Sequence, residues 1–312
     1  MKEAVYNKQD IKPENKSPMK NKKSSIKRKK MYMNLFYVPA LILFLVIVIY
    51  PLIKGIMFSF TNWNGFSQSY KFVGIENYKR ILTDPNVRLA FFNTIIYGFG
   101  STIFQNVLGL GYAILLNSKF RGRSLARTII YLPVMIAPLI MGYIVYFLFQ
   151  YDGGAFNDIL LLLGKQPIDW LADGQRSVII MTLINTLQFV GISMVIYLAG
   201  LQNIPQMYYE AAAVDGISPW GKFRYITLPL LMPAITSSVI VNLIGGLKLF
   251  DIIMALTAGG PGFSSHSLST LVTHTYFRGQ NAGYSVTIGL FTFVFIAITS
   301  NLIMKYLDSK EV

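Results

Sequence analysis

Apolar residues along this chain gather into six long runs, at about 35–58, 91–116, 128–149, 178–201, 229–253 and 285–303, and the stretches between them hold most of the charge. A helix needs about 20 mostly apolar residues to cross some 30 Å of hydrocarbon, so each run is long enough to span a bilayer. The pattern predicts an all-α membrane protein with six transmembrane helices. The first run, 35–53 in its most apolar part, follows a lysine-rich tail. It is longer than the roughly 7–15 residues of a signal-peptide core and no A-x-A-like cleavage site follows it, so it is expected to remain as a span. Several runs carry helix breakers: Pro39 and Pro51 in the first, Pro133 and Pro138 in the third, Pro229 and Pro233 at the start of the fifth. Bilayers tolerate such residues where neighbouring helices or a cavity satisfy the freed carbonyls.

Composition agrees with the pattern. Of the 312 residues 53% are hydrophobic and only 13% charged, against roughly 25% charged in an average soluble domain. With no cysteine, disulfides and thiolate metal sites are excluded. The net charge of +14 is concentrated at one end, since residues 1–30 carry eleven Lys or Arg against three acids. Such a segment has almost nothing with which to build a core. Residues 1–32 are therefore expected to be a disordered cytoplasmic tail touching anionic membrane lipid. No aromatic residue interleaves the lysines of 20–30, so the stacking platform of a nucleic-acid binder is missing and no nucleic-acid partner is expected.

An even number of spans puts both termini on one side. With the N-terminus inside, nineteen of the 28 Lys and Arg are cytoplasmic, as the positive-inside rule favours. Lys119, Arg121, Arg123 and Arg127 crowd the short 117–127 loop with no acid. The expected organisation is the tail, a transmembrane domain over 33–307 with a cytoplasmic loop at 202–228, and a cytoplasmic end at 308–312.

Catalytic chemistry is scarce. The two histidines, His266 and His274, lack a partnered carboxylate or cysteine cluster and read as solvated loop residues, so neither a catalytic nor a metal site is expected. No G-x-x-x-x-G-K-[ST] loop occurs: Gly221-Lys222 is followed by Phe223, and Gly164-Lys165 by Gln166. If ATP drives this protein, another subunit must hold the nucleotide.

The 202–228 loop is more informative. Residues 206–214 should form a short helix ended by Gly216 in the left-handed conformation. Ser218 is placed to cap a second helix with Pro219 at its first position, and Trp220 and Phe223 would share a face of it. Within the loop Glu210-Ala211-Ala212 precedes Gly216 by three residues, and Ile226, Leu228 and Pro229 follow. This E-A-A-x3-G-x9-I-x-L-P pattern resembles the signature of permease subunits of binding-protein-dependent ABC importers, matched at every specified position. Phe72-Val73-Gly74-x2-Asn77-Tyr78, Phe250-Asp251 and Leu256-Thr257-x-Gly259-Gly260-Pro261-Gly262 are similar to segments of the carbohydrate-type importers, the maltose, raffinose and glycerol-phosphate group, in the permease usually encoded first. Leu187 departs from that group, where a Trp is common, and so does Ile217, where Ala usually follows the glycine.

The resemblance covers about residues 33–307 and implies a type I ABC importer permease fold in a bacterial plasma (inner) membrane. It implies pairing with a homologous second permease and two ATPase subunits that bind ATP and Mg, and delivery of a sugar or sugar-like solute by an extracellular solute-binding protein. Glu210, Ala211, Ala212, Gly216, Ile226, Leu228 and Pro229 would then couple the chain to the ATPase. No cofactor is expected in this chain, nor any enzymatic activity of its own.

Polar groups within spans are costly and often functional. Asn185 and Gln188 share one face of the fourth span, and Asn242 and Gly246 one face of the fifth. Aligned with the maltose permease, these four fall at sugar-contact positions, while interhelical hydrogen bonding and close packing are the alternatives. Lys248 and Asp251, three apart, are expected to pair, or else Lys248 meets an anionic solute. A stand-alone secondary transporter or channel is the rival class, though no inverted repeat stands out. A membrane enzyme is a more distant third.

Overall fold

The computed structural model describes residues 37–311, so the expectation for the basic tail lies outside the described residues. Two units are distinguished, one ending at Gly55 and one comprising Ile56–Val312. Among the described residues, five helices are long and apolar enough to cross a membrane, or six if one sharply bent pair counts as a single span. Helix α1 (Tyr37–Ser59) widens into a π turn over Leu45–Ile49 just ahead of Pro51, where proline removes one ladder donor.

Beyond it, α2 (Glu76–Thr83) leads into α3 (Pro85–Asn117). Helix α3 starts six residues before its apolar run because the Asp84 side chain accepts from Asn86 N–H at 2.9 Å and Pro85 occupies the first turn. The third apolar run is not one helix. Helix α4 (Arg123–Tyr131), extended by a 3₁₀ turn over Leu132–Met135, meets α5 (Pro138–Phe149) at a bend of 98°. Proline disfavours the helical region for the residue before it, and Ala137 is extended at ψ 133°. A short outer helix, α6 (Ala155–Leu162), precedes α7 (Gly174–Asn203), which is capped by Asp173 accepting from Arg176 N–H at 2.7 Å.

After α7 come α8 (Gln206–Val214) and α9 (Pro219–Lys222), the latter running through a π turn at Phe223–Thr227 into Leu228–Leu230. The fifth run also breaks: α10 (Met232–Leu247) and α11 (Asp251–Leu256) are separated by three non-helical residues. Two further helices, α12 (Leu268–Phe277) and α13 (Ala282–Asp308), complete the chain.

Helix α7 is the axis of the bundle, with most of its apolar stretch buried. It packs parallel to α3: Tyr97 meets Met181, Gln105 meets Asn185, and Gly109 lies against Ser193. Close contact at Gly109 leaves no room for a side chain, the usual way small residues bring membrane helices together. Helix α13 runs the same way, since Tyr284 Oη donates to Asp84 at the start of both helices and, further along, Phe91 meets the Phe291 and Phe295 rings. The loops after α3 and α7 and the C-terminal end of α13 therefore share one end of the bundle.

Candidate functional site

Both helix breaks border one cleft of about 230 Å³, whose wall includes Pro138, the first residue after the α4–α5 bend, and Lys248–Asp251 at the α10–α11 break. A broken helix frees backbone carbonyls, and in a bilayer each must find a partner. Neighbouring side chains supply them here. Gln188 Nε2 donates to Ile136 O at 3.0 Å, and Ser267 Oγ donates to Leu249 O at 2.8 Å. The breaks are thus held open by built contacts.

Five of the six candidate pathway residues line this cleft: Asn185, Asn242, Gly246, Lys248 and Asp251. Gln188 does not, because it is fully buried and occupied with the bend. Asn185 is 2% exposed, and its side-chain amide makes no hydrogen bond to another described residue. Beside it Gln105 donates to Asn185 O at 2.9 Å and leaves its own Oε1 buried without a partner. A buried acceptor such as Gln105 Oε1 left without a partner costs about 1–3 kcal/mol, so a polar ligand or water in the cleft has a group waiting for it. Asn242 is partly spent on structure, donating to Ser193 Oγ at 2.6 Å across the α7–α10 contact.

One expectation needs correction, and another has two readings between which the packing discriminates. Lys248 and Asp251 form no ion pair; the one among the described residues joins Arg80 to Asp84. Because the helix stops between them, Lys248 caps the end of α10 and Asp251 opens α11. Each charge therefore sits at the helix terminus that favours it. Gly246, in turn, serves packing. A Cβ there would lie 2.7 Å from Ser101 Oγ and 2.9 Å from Gly98 Cα on α3, whereas a Cβ on Gly245 would meet nothing within 4 Å. The residue facing open space is Gly245, which periodicity alone could not separate from its neighbour. Gln105, Phe189 and Phe250 are further lining residues that sequence reasoning passed over. Leu187 is 58% exposed and off the cleft, so its departure from the carbohydrate group leaves the cleft wall unaltered.

The histidines also differ from expectation. His266 is buried, its Nδ1 3.0 Å from Thr270 Oγ1 and its ring 5.3 Å from that of His274. Burial first, then the nearby His274 and Arg278, push its pKa down to about 4. His274 is half-buried, and its pKa is lowered by burial and by Arg278.

At the end of the bundle shared by the α3 and α7 loops, α8 and α9 form a helix–turn–helix. Gly216 has φ 70°, with Ile217 N–H bonded to Ala212 O and Gly216 N–H to Ala213 O, a Schellman ending. Ser218 caps α9 through Gly221 N–H, and the Trp220 and Phe223 rings lie 5.5 Å apart. Tyr209 Oη meets Thr227 Oγ1 at 3.0 Å, which ties α8 to the stretch holding Ile226, Leu228 and Pro229. Met207, Glu210, Ala211 and Val214 are exposed at helical spacing, while Ala212 turns inward at 3% exposure. Glu210 is the fifth residue of α8, beyond the first turn where a helix dipole favours an acid.

Residues 105–311 match the family model described as the binding-protein-dependent transport system inner membrane component. The chain is 34% identical over 262 residues to the trehalose/maltose transport system permease protein MalF of Thermococcus litoralis, covering 84% of this chain and 88% of that one. It is also 34% identical to the multiple sugar-binding transport system permease protein MsmF of Streptococcus mutans, over 89% of this chain and 95% of the relative. A solved bacterial ABC transporter that imports the acidic polysaccharide alginate has the same fold, with a TM-score of 0.76 over 92% of this chain and 96% of that one at 23% identity. With its broken-helix cleft, its helix–turn–helix loop and these likenesses, the chain belongs to the family of inner membrane components of binding-protein-dependent transport systems.

Proposed function

We propose that this chain is a transmembrane permease subunit of an ATP-driven importer that moves a sugar, oligosaccharide or sugar-like solute delivered by an extracellular binding protein. The observation that carries the reading is the cleft at the paired helix breaks, where Asn185 and Gln105 keep unmet hydrogen-bonding capacity beside the Phe189 and Phe250 rings. Amides and aromatic faces suit a hydroxylated ring with one apolar side. Membrane proteins commonly place solute sites where spanning helices are interrupted. The names of the relatives, which concern trehalose, maltose and multiple sugars, support the solute class.

In this reading the 202–228 loop faces the cytoplasm and the basic tail lies on the same side. Glu210, Ala211 and the exposed stripe around them dock against an ATPase subunit, while Gly216 sets the turn and Ile226, Leu228 and Pro229 join it to α10. Two ATPase subunits bind ATP and Mg, and a homologous permease completes the cleft. Closure of the ATPases on ATP swings the loops and turns the cleft from one side of the membrane to the other. Proteoliposomes test this directly. Sugar uptake should need the second permease, the ATPase, the loaded binding protein and ATP together. Uptake by this chain alone, driven by an ion gradient, would favour a secondary transporter instead.

A further inference from the structure

A second cavity, of about 410 Å³, opens at the opposite ends of the helices that frame the cleft. Helices α5 and α11 begin at the cleft with Pro138 and Asp251, and end at this cavity with Phe149 and Leu256. The twelve residues of α5 span about 18 Å. The 169–172 segment that also lines the cavity precedes α7, while the coupling loop follows it, so the two lie at opposite ends of the bundle.

Its wall has the chemistry of carbohydrate recognition. Tyr146, Phe149 and Tyr151 offer ring surfaces, and Gln150 and Asp169 offer an amide and a carboxylate. The side chains of Tyr146, Tyr151, Gln150 and Asp169 make no hydrogen bond or ion pair with other described residues, so their full capacity is free. The frame behind them is fixed. Asn157, 1% exposed, donates to Gln150 O, Tyr151 O and Ile168 O and accepts from Ile168 N–H and Trp170 Nε1. Phe149 packs on Phe156 and Trp170 with ring centroids 4.4 and 5.9 Å away. The backbone behind these side chains is held in place, so a ligand has only the side chains themselves left to order.

We infer that this outer vestibule is a second carbohydrate site, which receives the solute from its carrier and holds it before it passes to the deep cleft. The inference rests on the proposed sugar-import function. Asp169 and Gln150 bond ring hydroxyls while a tyrosine or Phe149 ring covers the apolar face of the sugar.

The test uses the whole complex in proteoliposomes, with maltotriose, lactose and trehalose as probes and loaded binding protein titrated outside. Asp169→Asn and Tyr151→Leu alter exposed side chains. Each should raise the carrier concentration for half-maximal uptake by about fivefold, the loss of roughly one hydrogen bond or ring contact, and leave the maximal rate near wild type. Docking of the sugar-free binding protein, measured on the same vesicles, should not change. Wild-type half-saturation in both variants, while Asn185→Leu in the cleft loses uptake, overturns the vestibule site and leaves the import function standing. Equal weakening of sugar-free docking overturns it too, because the surface then binds protein. If the wild-type complex carries none of the probes, the sugar reading fails and takes this site with it.

Discussion

Gly245 and Gly246 are adjacent in α10 but face different surroundings, and a single added side chain separates them. At Gly246 the new Cβ would be forced against Gly98 and Ser101 of α3, so Gly246→Val should lower the amount of folded permease and its melting temperature. At Gly245 the space is open; Gly245→Val should leave both unchanged and slow uptake by narrowing the cleft. Membrane level, thermal stability and uptake rate, measured side by side, check the contrast. Lys248 and Asp251 each gain at most about 1 kcal/mol from a helix end and do not touch as an ion pair. Lys248→Met and Asp251→Asn should therefore add in a double-mutant cycle on stability, with no mutual rescue. His266 gives a pH signature. Its folded pKa of about 4 lies below the usual histidine value of 6.5, so the unfolded chain binds the extra proton first. Its contribution to stability is complete above about pH 6.5 and is lost as pH falls towards 4. Melting temperature should drop over that window, and His266→Gln should flatten the drop.

Among the elements, the 202–228 loop is where local signals and tertiary structure agree most closely. Helix bounds, the left-handed glycine and the Ser218 cap all follow from short-range chemistry that the chain carries within a dozen residues. Gly216→Val forces a β-branched residue to φ 70°, where even an unbranched one is strained by roughly 1–2 kcal/mol. No neighbour crowds that position, so the spans should insert normally while ATP hydrolysis stimulated by loaded binding protein is lost. Glu210→Gln keeps the shape of α8 and should weaken docking of the ATPase, which a pull-down of the assembled complex reads. The spans were less legible. Pro138 and Pro133 mark trouble in the third run, but a proline can kink a helix or end it; the extended Ala137 and the Gln188 bond to Ile136 O go with a 98° break. The break at 248–250 has no proline. It depends on Ser267, eighteen residues further on, accommodating Leu249 O, a long-range contact that periodicity does not carry. For the same reason Gln188 looked like a pathway residue and serves as a brace, while Gln105, lying on another helix, was missed.

At the level of the whole molecule, α3, α7 and α13 run in one direction, so the 202–228 loop, the 118–122 loop and the C-terminal end of α13 gather at one end. The vestibule lies at the other end, and the cleft between them is bounded by both helix breaks. In the proposed function the cleft is exposed to one side at a time. Because the chain has no cysteine, Gly245→Cys places a single thiol on the cleft wall with room around it. Its labelling by a membrane-impermeant thiol reagent, applied from either face of the assembled complex, reports which way the cleft opens. The account predicts labelling from the coupling-loop side without ATP, a shift to the vestibule side when ATP hydrolysis is blocked with carrier bound, and protection by the transported sugar. Labelling that ignores both ATP and sugar would contradict it.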